Sequence, residues 1–317
     1  MAFSQNVIKE AIQIKNEEIK KREQIYENTL YTVMAENPRI AEINKEISDL
    51  GTTAIKLSLT GKTEEIKELG KKNAALQQEK ENILKAEKLS PFTCLCPVCN
   101  DTNYVNGFLC DCVKEIAKEI SLKEFYKNLP QNDADFNSFK LSYYQGKDKE
   151  TMEKIYAFAK SYAENFDENS GNALFMGKCG LGKTHLSLSI AKTVIEKGYD
   201  VVYGSAQNLF AAAEKEHFSY SSVTDETEKL LNCDLLIIDD LGTEFLNNFT
   251  SSLFYNIVNT RLLNKKATVI NTNLSFEELT ERYSARITSR FVGEYVLKQF
   301  LGSDIRQLKA VEKLKKS

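Results

Sequence analysis

The sequence has no tryptophan, two histidines, four prolines and no apolar run near the roughly 20 residues that cross a bilayer. The missing run excludes a membrane-spanning helix. Met1-Ala2-Phe3-Ser4-Gln5 opens no signal peptide, so a cytoplasmic location is expected and a membrane partner is not. Neither basic nor acidic residues are in marked excess. Lys and Arg total 42 against 45 Asp and Glu, leaving −3, so any nucleic-acid binding must come from a local basic surface. Internal repeats and low-complexity tracts are absent. An apolar share of 42% with 27% charged residues excludes disordered and collagenous classes. What is present in excess is cysteine. Five of the seven lie between Cys94 and Cys112, and in a reducing compartment such a cluster favours a metal over disulfides.

At about 150 residues per domain, 317 residues predict two domains. Residues 1–89 are rich in Lys, Glu, Ile and Asn and read as a helical, partner-binding region. Ile40, Ile43, Ile47, Leu50, Ala54 and Leu57 step by three and four along a helix opened by Asn37-Pro38. Ile8, Ile12, Ile19, Tyr26 and Val33 predict a helix before it, and Ile66, Leu69, Leu76 and Ile83 one after Thr60-Gly61. Ser90-Pro91 closes this region, and a cysteine segment occupies 90–121. A polar-aromatic linker over 122–150, with Leu129-Pro130, Phe136 and Phe139, is expected to dock onto the domain that succeeds it. From 151 to 317 short β-rich runs alternate with helical segments, at Ala173–Met176, Asp200–Tyr203, Leu235–Ile238, Ala267–Ile270 and Tyr295–Leu301. That alternation predicts an α/β fold, a parallel sheet flanked by helices.

Gly177-Lys178-Cys179-Gly180-Leu181-Gly182-Lys183-Thr184 follows one predicted strand and opens the helix from His185 to Glu196. This is a complete P-loop pattern in its proper context. Its glycines let backbone N–H groups curl around a phosphate, and the helix N-terminus adds partial positive charge. Lys183 is expected to reach the β- and γ-phosphates of ATP, and the Thr184 hydroxyl to ligate Mg²⁺. Downstream, Leu235-Leu236-Ile237-Ile238-Asp239-Asp240 is a buried strand ending in two carboxylates, the Walker B arrangement. Asp239 would hold Mg²⁺ through water, and Asp240 would orient and deprotonate the attacking water. A third run, Thr268-Val269-Ile270-Asn271-Thr272-Asn273, would lie between the other two strands and point Asn273, or failing that Asn271, at the γ-phosphate. Both asparagines could instead be turn residues capping a helix at Phe276. Arg290 and Arg306 come next, each able to neutralise charge on a transferred phosphoryl group, from a neighbouring subunit if the chains assemble.

Cys96-x2-Cys99, ten residues, then Cys110-x-Cys112 offers four thiolates suited to tetrahedral zinc, with Cys94 a substitute ligand or a spectator. An iron–sulfur cluster and unligated cysteines are the alternatives. Four protein ligands leave no open position, so the metal's expected role is structural. Cys179 and Cys233 read as small packing residues.

The segment from about 170 to 310 resembles AAA+ ATPases, and more narrowly the bacterial replicative-helicase loaders of the DnaC and DnaI type with the related IstB transposition ATPases. The resemblance rests on Gly-Lys-Thr-His at 182–185, Ile-Ile-Asp-Asp-Leu-Gly-Thr-Glu at 237–244, Asn-Thr-Asn-Leu at 271–274, Ser-Arg-Phe at 289–291 and Asp-Ile-Arg at 304–306. It implies that His185 belongs to the nucleotide site, that Asn273 is sensor 1, that Arg290 acts as a finger in the neighbouring subunit's site, and that Arg306 is sensor 2. Asp240 stands where most AAA+ proteins have glutamate, which implies slow, switch-like hydrolysis. Cys-Pro-Val-Cys-Asn-Asp-Thr-Asn-Tyr-Val at 96–105 with Cys-Asp-Cys at 110–112 looks like the zinc-binding, helicase-contacting domain of such loaders. Asn103 stands where relatives often have glycine, and asparagine tolerates a left-handed backbone. The implied function is ATP-dependent loading of a DnaB-type replicative helicase onto single-stranded DNA within a primosome, by chains that self-assemble. Transposition or phage-replication accessory ATPases share every ATPase motif, and an adaptor that binds nucleotide but scarcely hydrolyses it is a third reading. Candidate DNA contacts are Lys265, Lys266, the Phe245 loop and the basic tail of Lys309, Lys313, Lys315 and Lys316.

Overall fold

The computed structural model describes residues 3–58, 62–86, 92–127, 134–218 and 226–316. Thr60-Gly61, Ser90-Pro91 and Leu129-Pro130, and the side chains of Lys313, Lys315 and Lys316, lie outside the described residues. The chain divides into two compact units, Ile12–Val113, and Met1–Ala11 together with Lys114–Ser317. No helix among the described residues is long and apolar enough to cross a membrane.

Helices α1 (Gln5–Glu36), α2 (Pro38–Ser58) and α3 (Thr63–Ala86) form where the three- and four-residue apolar steps predict them. In α2 the stripe buries Ile40 and Ile43 and half-buries Ile47, Leu50, Ala54 and Leu57. Arg39 ties α2 to α3 through a two-pronged bond to Glu79, at 2.8 and 3.1 Å. After α3 come the two-residue strands β1 (Tyr104–Val105) and β2 (Phe108–Leu109), paired antiparallel around Asn106-Gly107. Both turn residues have positive φ, 51° and 82°, as a two-residue hairpin turn requires. Helix α4 (Asp111–Lys127) begins directly after the hairpin.

The remaining elements build the α/β layer. Before the sheet come a 3-10 turn at Leu141–Tyr143 and α5 (Gly146–Glu164). Strand β3 (Asn172–Met176) leads to α6 (Lys183–Glu196), and β4 (Val201–Ser205) to α7 (Ala206–Phe218) and α8 (Glu226–Asn232). Next are β5 (Leu235–Leu241), α9 (Asn248–Leu263), β6 (Ala267–Thr272), α10 (Phe276–Tyr283), α11 (Ala285–Glu294), β7 (Tyr295–Gln299) and α12 (Ile305–Lys316). The five strands are all parallel, in the order β4-β5-β6-β3-β7. β6 therefore lies between β3 and β5, as the sequence predicts, and this is the AAA+ P-loop arrangement.

Alternation along the strands divides the core. Ala173, Phe175, Leu235, Ile237 and Val269 face α5 and α6, packing on Met152, Ile155, Leu186, Ile190 and Val194. Leu174, Leu236, Ile238 and Ile270 face the other way, toward Phe210, Phe254 and Ile257 of α7 and α9. With both faces covered, the strands read as continuous apolar runs and their C-terminal ends are free to carry chemistry. One buried cation pins the far end of the sheet. The guanidinium of Arg261, 1% exposed, donates to the carbonyls of Leu230, Cys233 and Ala267 and to the Thr268 hydroxyl, at 2.6–3.0 Å.

Candidate nucleotide and metal sites

The phosphate loop leaves β3 at Gly177 and enters α6 at Lys183. Two of its glycines are required by the atoms that lie against them. Gly180 has φ +76°, and a Cβ there would sit 2.0 Å from Asp304 Oδ1. Gly182, φ +90°, would meet the Phe139 ring at 2.8 Å. The loop is thus closed on one side by the segment leading into α12, where the Ile305 N–H donates to the Gly180 carbonyl at 3.0 Å. The Lys183 ammonium donates to the Gly177 and Lys178 carbonyls at 2.6 and 2.8 Å and to Asn273 Oδ1 at 2.6 Å. Its pKa is lowered by burial.

At the end of β5 the ladder slips between Ile238 and Leu241, a bulge that aims Asp239 and Asp240 differently. Asp240 sits at φ +50°, a left-handed conformation that aspartate and asparagine adopt more readily than other residues with a side chain. Asp239 is held from three sides: Thr184 Oγ1 and Asn271 Nδ2 donate to Oδ1 at 3.2 and 2.7 Å, and the Tyr203 hydroxyl donates to Oδ2 at 2.7 Å. The two asparagines therefore divide the work. Asn271 supports Asp239 and also donates to Ser187 Oγ at 2.8 Å, while Asn273 faces Lys183. Neither caps the next helix; Ser275 does, in a capping box with Glu278. Burial first, then the neighbouring Asp239, raises the Asp240 carboxyl above the usual carboxylate range.

These groups line one cavity of about 990 Å³, bounded by Lys183, Thr184, Asp239, Asp240, Asn273 and Arg306. Its other wall is residues 138–143, which by sequence are no more than part of a docking linker. His185 fastens that wall. Its Nε2 lies 2.8 Å from the Asp135 carbonyl and 3.2 Å from Ser138 Oγ, and burial lowers its pKa. Cys179 is exposed and lines the cavity, which corrects its reading as a packing residue. Cys233 is buried, and burial pushes its thiol up to about 11.

Arg290 does not line this cavity. It stacks on Tyr255 at 5.0 Å and donates to Asn259 Oδ1 at 2.9 Å and to the Arg286 carbonyl at 2.9 Å. Of the candidate DNA contacts, Lys266 pairs with Asp234 at 2.8 Å, Lys309 lies over Tyr143 beside the cavity, and Phe245 is 82% exposed.

The second candidate site is sulfur-lined. The Sγ atoms of Cys96, Cys99, Cys110 and Cys112 all lie within 4.8 Å of one another. Cys96 and Cys110 are 3.9 Å apart, and Cys99 and Cys112 3.7 Å. A regular tetrahedron with bonds of about 2.3 Å places its sulfurs about 3.8 Å apart, so the set fits zinc. The short Cys110-x-Cys112 gap works because Cys110 ends the hairpin and Cys112 enters the first turn of α4. Cys94 is exposed and outside the cluster.

Two residues of α1 that carry no motif complete this site. The Lys15 ammonium, 1% exposed, donates to Cys99 Sγ at 3.3 Å and pairs with Asp101 at 3.5 Å. Asp101 in turn accepts from the Leu95 and Cys96 N–H groups at 2.8 and 2.9 Å. Asn103 takes the left-handed turn, φ 70°, that glycine takes more readily. It also does what glycine cannot, donating to Asn16 Oδ1 at 3.3 Å.

A family model described as IstB-like ATP binding protein matches residues 119–290, just over half of the chain. The Replicative helicase loader DnaC of Escherichia coli K12 is 31% identical over 134 residues, 42% of this chain and 54% of that protein. The Chromosomal replication initiator protein DnaA of Aquifex aeolicus is 29% identical over 211 residues, 67% of this chain and 52% of that protein. A crystal structure of the DnaC helicase loader is 22% identical with a TM-score of 0.47, covering 56% of this chain and 99% of that one. The chain thus spans about half the length of the curated relatives it matches.

Proposed function

Since the chain belongs to the IstB-like ATP-binding protein family, we propose that it is a cytoplasmic ATPase that loads a DnaB-type replicative helicase onto single-stranded DNA. The observation that carries the nucleotide part is the convergence of Lys183, Thr184, Asp239, Asp240 and Asn273 at the C-terminal ends of adjacent strands, in one cavity. Support for the loader part comes from the identity to DnaC and from a cysteine cluster suited to zinc.

In this reading the phosphate loop and Lys183 bind the ATP phosphates, and Thr184 and Asp239 hold Mg²⁺, which when bound offsets phosphate charge. Asn271 and Tyr203 keep Asp239 in place. Asp240, its basicity raised by burial, takes the proton of the water that attacks the γ-phosphorus, while Asn273 orients the reacting groups. Arg306 lies on the phosphate side of the same chain's cavity. Arg290, turned away from it, completes the site of a neighbouring chain, so hydrolysis requires assembly. Cys96, Cys99, Cys110 and Cys112 hold a structural zinc in a helical module over 1–121 that grips the helicase. Residues 122–150 join it to the ATPase domain, and single-stranded DNA contacts come from the Phe245 loop and the basic tail.

The family model's description favours one alternative, an accessory ATPase of transposition or phage replication. Affinity capture with the full chain and purified replicative helicase separates the two. Helicase retained by the chain and released on hydrolysis is the loader's outcome. Absence of binding with and without ATP would leave the transposition reading.

A further inference from the structure

The loop that carries the two Walker B carboxylates continues through Gly242 and Thr243 to Glu244, a carboxylate with a side chain 1% exposed. A buried carboxylate must be satisfied, and this one is satisfied in two directions. Oε2 accepts from the Gly242 N–H at 2.9 Å, closing the turn just beyond Asp240. Oε1 accepts from the Tyr283 hydroxyl and pairs with Arg282 Nε at 3.6 Å. Arg282 also donates to the Glu244 carbonyl. Both partners are the last residues of α10, and the Tyr283 ring packs on Phe254 at 5.0 Å.

The next residue, Ser284, has φ 86° and ψ 153°, a combination open in practice only to glycine. It is the hinge from which α11 departs, and α11 carries Arg290. A side chain forces this backbone only where its surroundings over-determine it, and the anchor on its N-terminal side is the Glu244 clamp. One chain of contacts therefore runs from the Asp239-Asp240 turn through Glu244 to Tyr283, Ser284 and Arg290.

We infer that Glu244 is a positioning residue for Arg290, fixing the arginine that a chain presents to its neighbour through the same turn that holds its own Asp239 and Asp240. This rests on the reading of Arg290 as a finger acting in trans. The bond from Tyr283 to Glu244 acts on the Arg290 of its own chain, the donor of the finger, which distinguishes it from a general loss of stability.

The test mixes two inactive full-length variants. An Arg290→Ala chain keeps its nucleotide site and accepts a finger. An Asp240→Asn chain, whose asparagine tolerates the left-handed turn, binds nucleotide and donates one. Their mixture is expected to recover ATP turnover. Tyr283→Phe, which keeps the ring against Phe254 and leaves the Glu244 bond to the Gly242 N–H, placed in the donor, is expected to lower that recovered rate by about tenfold or more, and the same change in the acceptor by less than about twofold. Recovery that is insensitive to the donor change, or equally sensitive on both sides, overturns the inference alone. If the parent pair recovers nothing, the trans reading of Arg290 falls, and the inference with it.

Discussion

The Tyr203 hydroxyl donates to Asp239 Oδ2 at 2.7 Å, so the carboxylate expected to hold Mg²⁺ is fixed by a phenol on the neighbouring strand β4. Burial and the Asp239 charge push the Tyr203 pKa up, which keeps it a donor at any working pH. With Asn271 and Thr184 on the other oxygen, Asp239 has one geometry available before a cation arrives. Outer partners of this kind typically matter by 10–100-fold in metal affinity or activity.

Tyr203→Phe removes that bond and leaves the ring. The Mg²⁺ concentration for half-maximal ATP turnover should rise by about tenfold, with little change in melting temperature. A Mg²⁺ titration of steady-state turnover checks this, and an unchanged midpoint would remove Tyr203 from the site.

Zinc content should be one per chain, fall to near zero in Cys99→Ser and stay at one in Cys94→Ser, because Cys94 stands outside the sulfur cluster. Lys15→Met should weaken zinc retention by about tenfold against a chromophoric chelator, since the ammonium at 3.3 Å from Cys99 Sγ offsets thiolate charge. Equal retention by wild type and Lys15→Met would confine Lys15 to a packing role.

Arg261 contributes to stability through its fork, which reaches the carbonyls of Leu230, Leu231, Cys233 and Ala267 and the Thr268 hydroxyl, a set that no shorter or single-headed side chain can serve together. Arg261→Met should cost on the order of 3 kcal/mol by stranding buried acceptors, and Arg261→Lys should recover only part of it. Urea unfolding monitored by fluorescence of the tyrosines measures both.

Burial and the nearby Asp234 carboxylate raise the Asp200 pKa to about 6. Its folded-state pKa is above the unfolded one, so the folded protein takes up the proton first. Stability from this group is therefore gained as pH falls through about 6 and is lost again as pH rises. The swing, developed between about pH 6 and the unfolded carboxylate range at about 4, should be on the order of 3 kcal/mol. Asp200→Asn should be more stable than wild type at pH 8, the gap closing as pH falls through about 6. A constant difference across thermal melts from pH 5 to 8 would refute the assignment.

Most of the candidate nucleotide cavity was legible because phosphate chemistry asks for fixed residue types at short spacing: Gly177 to Thr184 is one loop, and Asp239-Asp240 ends one strand. One neighbour relation came from the same logic, β6 between β3 and β5, whereas the places of β4 and β7 at the sheet edges did not. Long-range partners were not legible. Tyr203 sits in a β-rich apolar run and looks like core until β4 is seen beside β5. Lys15 is one lysine among many in a helix rich in them, and only the fold brings it to Cys99 across 84 positions. Glu244 ends a motif whose spacing gives it no role, because its partner Tyr283 lies 39 residues further on. Residues 134–144 lack a periodic pattern, and their place as a cavity wall depends on the His185 bond to Asp135.

If ATP bound at Lys183 and Asp239 drives helicase loading, transfer of helicase onto a closed circle of single-stranded DNA measures it directly. With wild-type chain and ATP, helicase should become stably associated with circles that it cannot thread alone, and Lys183→Ala should abolish the transfer. Transfer that proceeds equally with Lys183→Ala, or fails with the wild-type chain while ATP is hydrolysed, would rule out ATP-driven loading.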